Sequence, residues 1–164
     1  MMKVALMTIV SLTFGGLWPA LSAEQDDAAL IKAMSGAKVT LQQGLTVSEH
    51  EGRPISGKFE MEDGKPQLSI YTEKNGKFFE VIVDHMTGSI AKTEPITEGD
   101  DLADAKSQST AMKNAKTSLK QAVDKTVGLN LAVGVTPQLQ DGHPVASISL
   151  AKGGKLQTVT QRLD

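Results

Sequence analysis

Residues 61–70 read MEDGKPQLSI and residues 139–148 read LQDGHPVASI, so Asp63-Gly64 returns as Asp141-Gly142, 141 − 63 = 78 positions later. The same offset lays AMSGAKVTLQQGL (33–45) over AMKNAKTSLKQAV (111–123), and KNGKFFEV (74–81) over KGGKLQTV (152–159). Three patches in one ungapped register argue for a duplicated unit and against chance. Two copies are too few for a solenoid, which points to a pseudo-symmetric, two-lobed protein.

Each copy carries the same local grammar. Thr40-Leu-Gln-Gln43 and Ser118-Leu-Lys-Gln121 are both capping boxes, in which the hydroxyl accepts from the third helical amide and the Gln side chain reaches back. A helix therefore starts at the same place in each copy. In the second copy Leu102, Ala105, Met112, Ala115, Leu119, Ala122, Val123 and Thr126 recur at threes and fours, giving helical pattern from about 100 to 127. This pattern fits one long helix or two that break at Thr117. DAALIKAM (27–34) is the counterpart in the first copy, with a stop at Ser35-Gly36.

Strands follow the helices. ISGKFEME (55–62) alternates, Asp63-Gly64 supplies the positive φ values of a tight turn, QLSIYT (67–72) alternates again, Asn75-Gly76 turns, and KFFEVIVD (77–84) is the strongest strand in the chain. Asp141-Gly142 and Gly153-Gly154 make the same turns in the second copy, and Pro66 and Pro144 sit at strand starts, where a missing donor is tolerated. The expected fold is α+β: two tandem units, each a helix on an antiparallel meander of three or four strands.

The copies differ in their last strand. Phe79, Val81 and Val83 point one way and Phe78 and Ile82 the other, whereas the second copy sets Leu156, Val159 and Leu163 among Gln157, Thr158, Thr160 and Gln161. Two accounts fit a strand apolar on both faces. Either its second face packs on the other copy or the long helix, or that face receives a partner.

Residues 1–23 are set apart as a secretory signal. Lys3 begins it, VALMTIVSLTFGGLW is its apolar stretch, and Leu21-Ser22-Ala23 precedes an abruptly polar EQDD, which places cleavage after Ala23. The expected units are then 24–97 and 98–164, in a periplasmic or secreted protein with no stable membrane insertion once the signal is gone. The absence of Cys removes any disulfide framework. Because Lys3 leaves with the signal, 17 − 1 = 16 Lys and Arg face 19 Asp and Glu, a net charge of −3. That balance argues against nucleic acid, whose phosphates call for clustered basic side chains.

A capped helix beginning Ser/Thr-Leu, DGKP at a hairpin, NGK at the next turn, and FFEVIVDHMTGSI closing on Asp84, Thr87 and Gly88 together resemble the PepSY domain family. That family occurs in propeptides of thermolysin-type metallopeptidases and in small periplasmic proteins. The resemblance covers about 38–92, with Gly44 where Ala is usual, and more weakly 116–164, where Arg162 stands in the place of Asp84. It implies a secreted binding or regulatory domain with control of a peptidase as its role.

The residues themselves point to no enzyme, no cofactor and no metal. There is no Cys and no Gly-x-Ser-x-Gly nucleophile. His50 reads as a helix C-terminal partner, His143 as a solvated turn residue, and His85 follows Asp84 with no second ligand at metal spacing. Asp26-Asp27 and Asp100-Asp101 read as acids at helix N-termini. Two functional readings remain. The first is a non-enzymatic module that modulates an exported peptidase or sensor ectodomain through Asp63, Gly64, Lys65, Pro66, Phe78 and Ile82, by way of a sheet edge. The second is a small-ligand sensor domain of the cell envelope.

Overall fold

The computed structural model describes residues 18–164, with side chains from residue 26 onward. Four helices and seven strands follow in the order α1 (Trp18–Met34), α2 (Leu41–Ser48), β1 (Arg53–Glu62), β2 (Lys65–Lys74), β3 (Lys77–Val83), β4 (Ile90–Ile96), α3 (Gly99–Met112), α4 (Leu119–Val127), β5 (Leu131–Gln140), β6 (His143–Lys152) and β7 (Lys155–Arg162). The class is α+β. All seven strands join one antiparallel sheet in the order β4-β3-β2-β1-β5-β6-β7. The signal expected over 1–23 lies outside the described residues except for 18–23, which open α1. Asp26 and Asp27 therefore sit within α1, not at its start; Asp100 and Asp101 do occupy the first turn of α3.

Turn chemistry sets the strand register. The hairpin tips have positive φ at both central residues, 48° and 74° at Asp63-Gly64 and 52° and 79° at Asp141-Gly142, the geometry that matches the twist of the flanking strands. Both capping boxes form. Gln43 N donates to Thr40 Oγ1 at 3.2 Å and Thr40 N to Gln43 Oε1 at 2.8 Å; the bonds between Gln121 and Ser118 are 3.2 and 2.9 Å.

The helical pattern of 100–127 resolves into two helices, interrupted over 113–118. The amides of Lys116 and Thr117 donate to the Leu163 carbonyl at 2.7 and 2.8 Å, which holds the chain out of helix just before the Ser118 cap. Lys38 and Val39, 78 positions earlier, bond the His85 carbonyl in the same way at 2.9 and 3.1 Å. Strand irregularities also recur at that spacing, between Pro54 and Ser56 in β1 and between Ala132 and Gly134 in β5.

The expected two lobes are replaced by a single sheet and a single core. β1 meets β5 through Gly57 opposite Val135 and Lys58 opposite Gly134. A Cβ on Gly57 would lie 2.7 Å from Ile70 Cδ1 and 3.3 Å from Leu41 Cδ1, so the bare backbone lets α2 settle closely on this face. Gly44 of α2 does the same from the other side, since a Cβ there would come within 2.7 Å of Leu68 Cδ2. Leu41, Leu45, Leu119 and Val123 join Ile70, Val81, Val135 and Ile148 in one buried cluster, each large side chain contributing about 1.5–3 kcal/mol of burial.

α3 takes the opposite face. Ser56, the neighbour of Gly57, points away from α2 and donates to Gln108 Oε1 at 2.6 Å. Arg53 reaches the Met112 carbonyl at 3.3 Å and Glu73 Oε2 at 3.0 Å, tying the end of α3 to β1 and β2. Phe78 borders Ser109 and Thr110 of α3 and Lys113 just after it, and is buried. The second face of β3 is thus occupied in part by the helix that follows it. Among the described residues, no helix is long and apolar enough to cross a membrane.

Candidate functional site

The Asp63–Pro66 hairpin lies at one end of the sheet and is exposed at Asp63, Gly64 and Lys65, with Pro66 half-buried. Met61 pairs with Pro66 across the hairpin and is 37% exposed. β2 continues to Leu68, which pairs with Val83 at the end of β3, and the chain then turns through Met86, 44% exposed. Two exposed methionines therefore stand at the hairpin end of the first half. Neither was singled out by the sequence pattern, although Met61 sits directly before the acidic turn and Met86 within the Asp84-x-x-Thr87-Gly88 segment.

That segment is held by its own hydrogen bonds. Asp84 Oδ1 accepts from Met86 N at 2.8 Å and from Thr87 N at 3.1 Å, and the Gly88 amide returns to the Asp84 carbonyl at 2.7 Å. The two backbone amides hold the Asp84 carboxyl below its usual range, so it stays ionised and keeps the turn closed. The turn is a structural clasp: the His85 carbonyl inside it anchors the α1–α2 connection.

The other candidate contacts fall differently. Phe78 is 8% exposed and belongs to the core beside α3, which corrects its reading as a partner contact: its ring has little free surface to offer. Ile82 is half-buried on the same sheet face, opposite Lys92 of β4. The structure brings Asp63, Gly64, Lys65 and Pro66 together and leaves Phe78 and Ile82 on a different strand.

A second feature is a cleft of about 250 Å³ between α3 and the middle of the sheet, lined by Ser56, Lys58, Tyr71, Asp101, Asp104 and Gln108. Lys58 Nζ lies 2.7 Å from Glu60 Oε2 and 5.9 Å from the centre of the Tyr71 ring. Burial, with the carboxylates of Glu80, Glu60 and Asp101, pushes the Tyr71 phenol well above its usual range and keeps it a hydrogen-bond donor, directed at Glu80 Oε1 at 3.5 Å. This wall can hold a polar guest but presents no nucleophile beside a base.

The histidines lie elsewhere. His50 is exposed beyond the end of α2, His85 sits in the Asp84 turn, and His143 is paired, with Nδ1 2.8 Å from Asp164 Oδ2. Arg162 also binds Asp164, at 2.8 Å through Nε and 2.6 Å through Nη2, and these bonds, with that from His143, hold the Asp164 carboxyl far below its usual range. His143 is an exposed residue beside the Asp141-Gly142 turn, and its ring is in addition held by Asp164. Among the described residues no three His, Asp or Glu side chains gather as a metal site. Comparison of the chain with protein-family models, with curated proteins and with solved structures returned no match.

Proposed function

We propose that the chain is an exported, non-enzymatic binding module built from two PepSY-like repeats, and that it modulates an exported peptidase or sensor ectodomain through the hairpin end of its first repeat. The observation that carries this reading is a pair of exposed methionines, Met61 on the Asp63–Pro66 hairpin and Met86 in the turn after β3 at the same end of the sheet. Methionine is flexible and polarisable and adapts to a partner's surface. Correspondences 78 positions apart in caps, anchoring amides and strand irregularities support the duplication. In this reading the signal directs export, and the two repeats share one sheet, so the hairpin is presented on a rigid frame.

The test is capture from envelope extract by immobilised protein, beside a Met61→Asp, Met86→Asp variant checked for native circular dichroism. A peptidase or sensor ectodomain retained by the wild type and lost by the variant is the expected result. Equal retention by a folded variant would remove the hairpin end from the interface, and no retained protein would remove the module reading.

The cleft beneath α3 favours a second reading, a small-ligand sensor. A compound that binds there only in the native state raises the melting temperature, and replacing Gln108 with Trp to fill the cleft abolishes that rise.

A further inference from the structure

The two edges of the sheet are protected unequally. β4 carries Lys92, Glu94 and Pro95, the charges and the missing amide that discourage a further strand. β7 runs Gln157-Thr158-Val159-Thr160-Gln161 through its middle with neither charge nor proline, and no strand lies beyond it among the described residues. Its residues favour extended backbone. Val159, moreover, is 38% exposed, whereas Val81, 78 positions earlier on β3, is 0% exposed with β4 alongside. Past the start of β7, where Asp27 and Ala28 of α1 lie near Lys155 and Leu156, a partly exposed apolar side chain thus stands on an edge that no other described strand pairs.

We infer that the β7 edge pairs with the β7 edge of a second copy, antiparallel about a two-fold axis normal to the sheet. One adhesive edge and one guarded edge give a closed dimer, where two adhesive edges would give a fibre. Such an axis keeps each face on its own side, so opposed residues have the same parity. Centring on Val159 sets the two valines against each other, Thr158 against Thr160, Gln157 against Gln161, and Leu156 against Arg162. No like charges oppose one another, and the hydroxyl and amide pairs are favourable cross-strand partners. An interface of a single strand pair is small, and the dimer is accordingly weak and concentration-dependent.

Sedimentation velocity on the chain as the cell produces it, from about 1 to about 200 μM, reads the dimer directly. The wild type shifts from monomer to dimer across this range. Val159→Lys alone and Val159→Glu alone each weaken association more than about tenfold, because like charges meet at the axis. An equimolar mixture of the two variants restores it, since residue 159 then faces its opposite charge. A wild type that stays monomeric throughout overturns the inference, as does a Val159→Lys chain that dimerises like the wild type. A mixture that stays monomeric overturns the register.

Discussion

β3 and β7 occupy the same place in the two halves of the sheet, each the third strand of its meander, yet one is a core strand and the other an edge. Val81 and Val83 are 0% and 1% exposed, while Val159 is 38% exposed and Gln161 stands where Val83 does. The difference follows from what lies beyond each strand. β3 is flanked by β4 and faced by α2 and, at Phe78, by α3, so both of its faces need apolar side chains; β7 has, among the described residues, a neighbouring strand on one side only and carries Thr and Gln. The same backbone plan thus serves as interior or rim according to one added strand.

The largest break in this comparison comes from placing a charge at the two equivalent positions. Val81→Lys buries an unpaired ammonium and is expected to cost about 4 kcal/mol or more in urea unfolding. Val159→Lys, at concentrations where the chain is monomeric, is expected to cost less than about 1 kcal/mol. Equal costs would mean that the two strands are buried alike.

Helix caps sharpen the comparison by showing where the halves agree. Thr40→Ala and Ser118→Ala each remove one cap hydrogen bond of the same geometry, and each is expected to cost about 1 kcal/mol. A large inequality would show that one of the two helices is held by packing alone. Thr72 and Leu150, 78 positions apart, show where the halves disagree: Thr72 Oγ1 is buried without a hydrogen-bond partner among the described residues, and the second half has an apolar side chain there. Thr72→Val is expected to raise stability by about 1 kcal/mol, because it removes an unsatisfied hydroxyl at nearly constant shape.

The smallest effect concerns pH. Asp84 is held below its ordinary value of 3.8 chiefly by the Met86 and Thr87 amides. Its contribution to stability is complete above that ordinary value and is lost as pH falls through the lower, folded-state value. Asp84→Asn keeps an acceptor oxygen but cannot titrate, so its stability is expected to fall less steeply below about pH 4 than that of the wild type. Arg162, at the equivalent position, has no such carboxylate, and Arg162→Gln is expected to change the acid limb only through Asp164.

Much of this architecture is legible in the sequence because it is written in local chemistry. Asp-Gly and Asn-Gly turns need positive φ, and the capping boxes need a hydroxyl and a Gln three residues apart. The joining of the halves is not legible, since the pairing of β1 with β5 is made by backbone from distant segments, and Gly57 there takes its meaning from the close approach of Ile70 and of Leu41 of α2. For Phe78 the alternation left two accounts, packing against the long helix or against a partner, and only the placement of α3, from distant residues, decides for packing. At the candidate site, the hairpin Asp63–Pro66 was readable from turn residues. The exposure of Met61 was not, because methionine in an alternating strand reads as core until its neighbours are known.

Amide hydrogen exchange of Leu119→Ala most directly tests whether the two halves form one cooperative body. Leu119 is 2% exposed in α4, and its truncation is expected to remove about 2–5 kcal/mol. With one shared sheet, the slowest amides of the first half, such as Leu68, Ile70 and Val81, are expected to accelerate by the same factor as those of Ala146 and Ile148 in the second. Acceleration confined to Ala146, Ile148 and their neighbours would contradict the single core and restore two independent lobes.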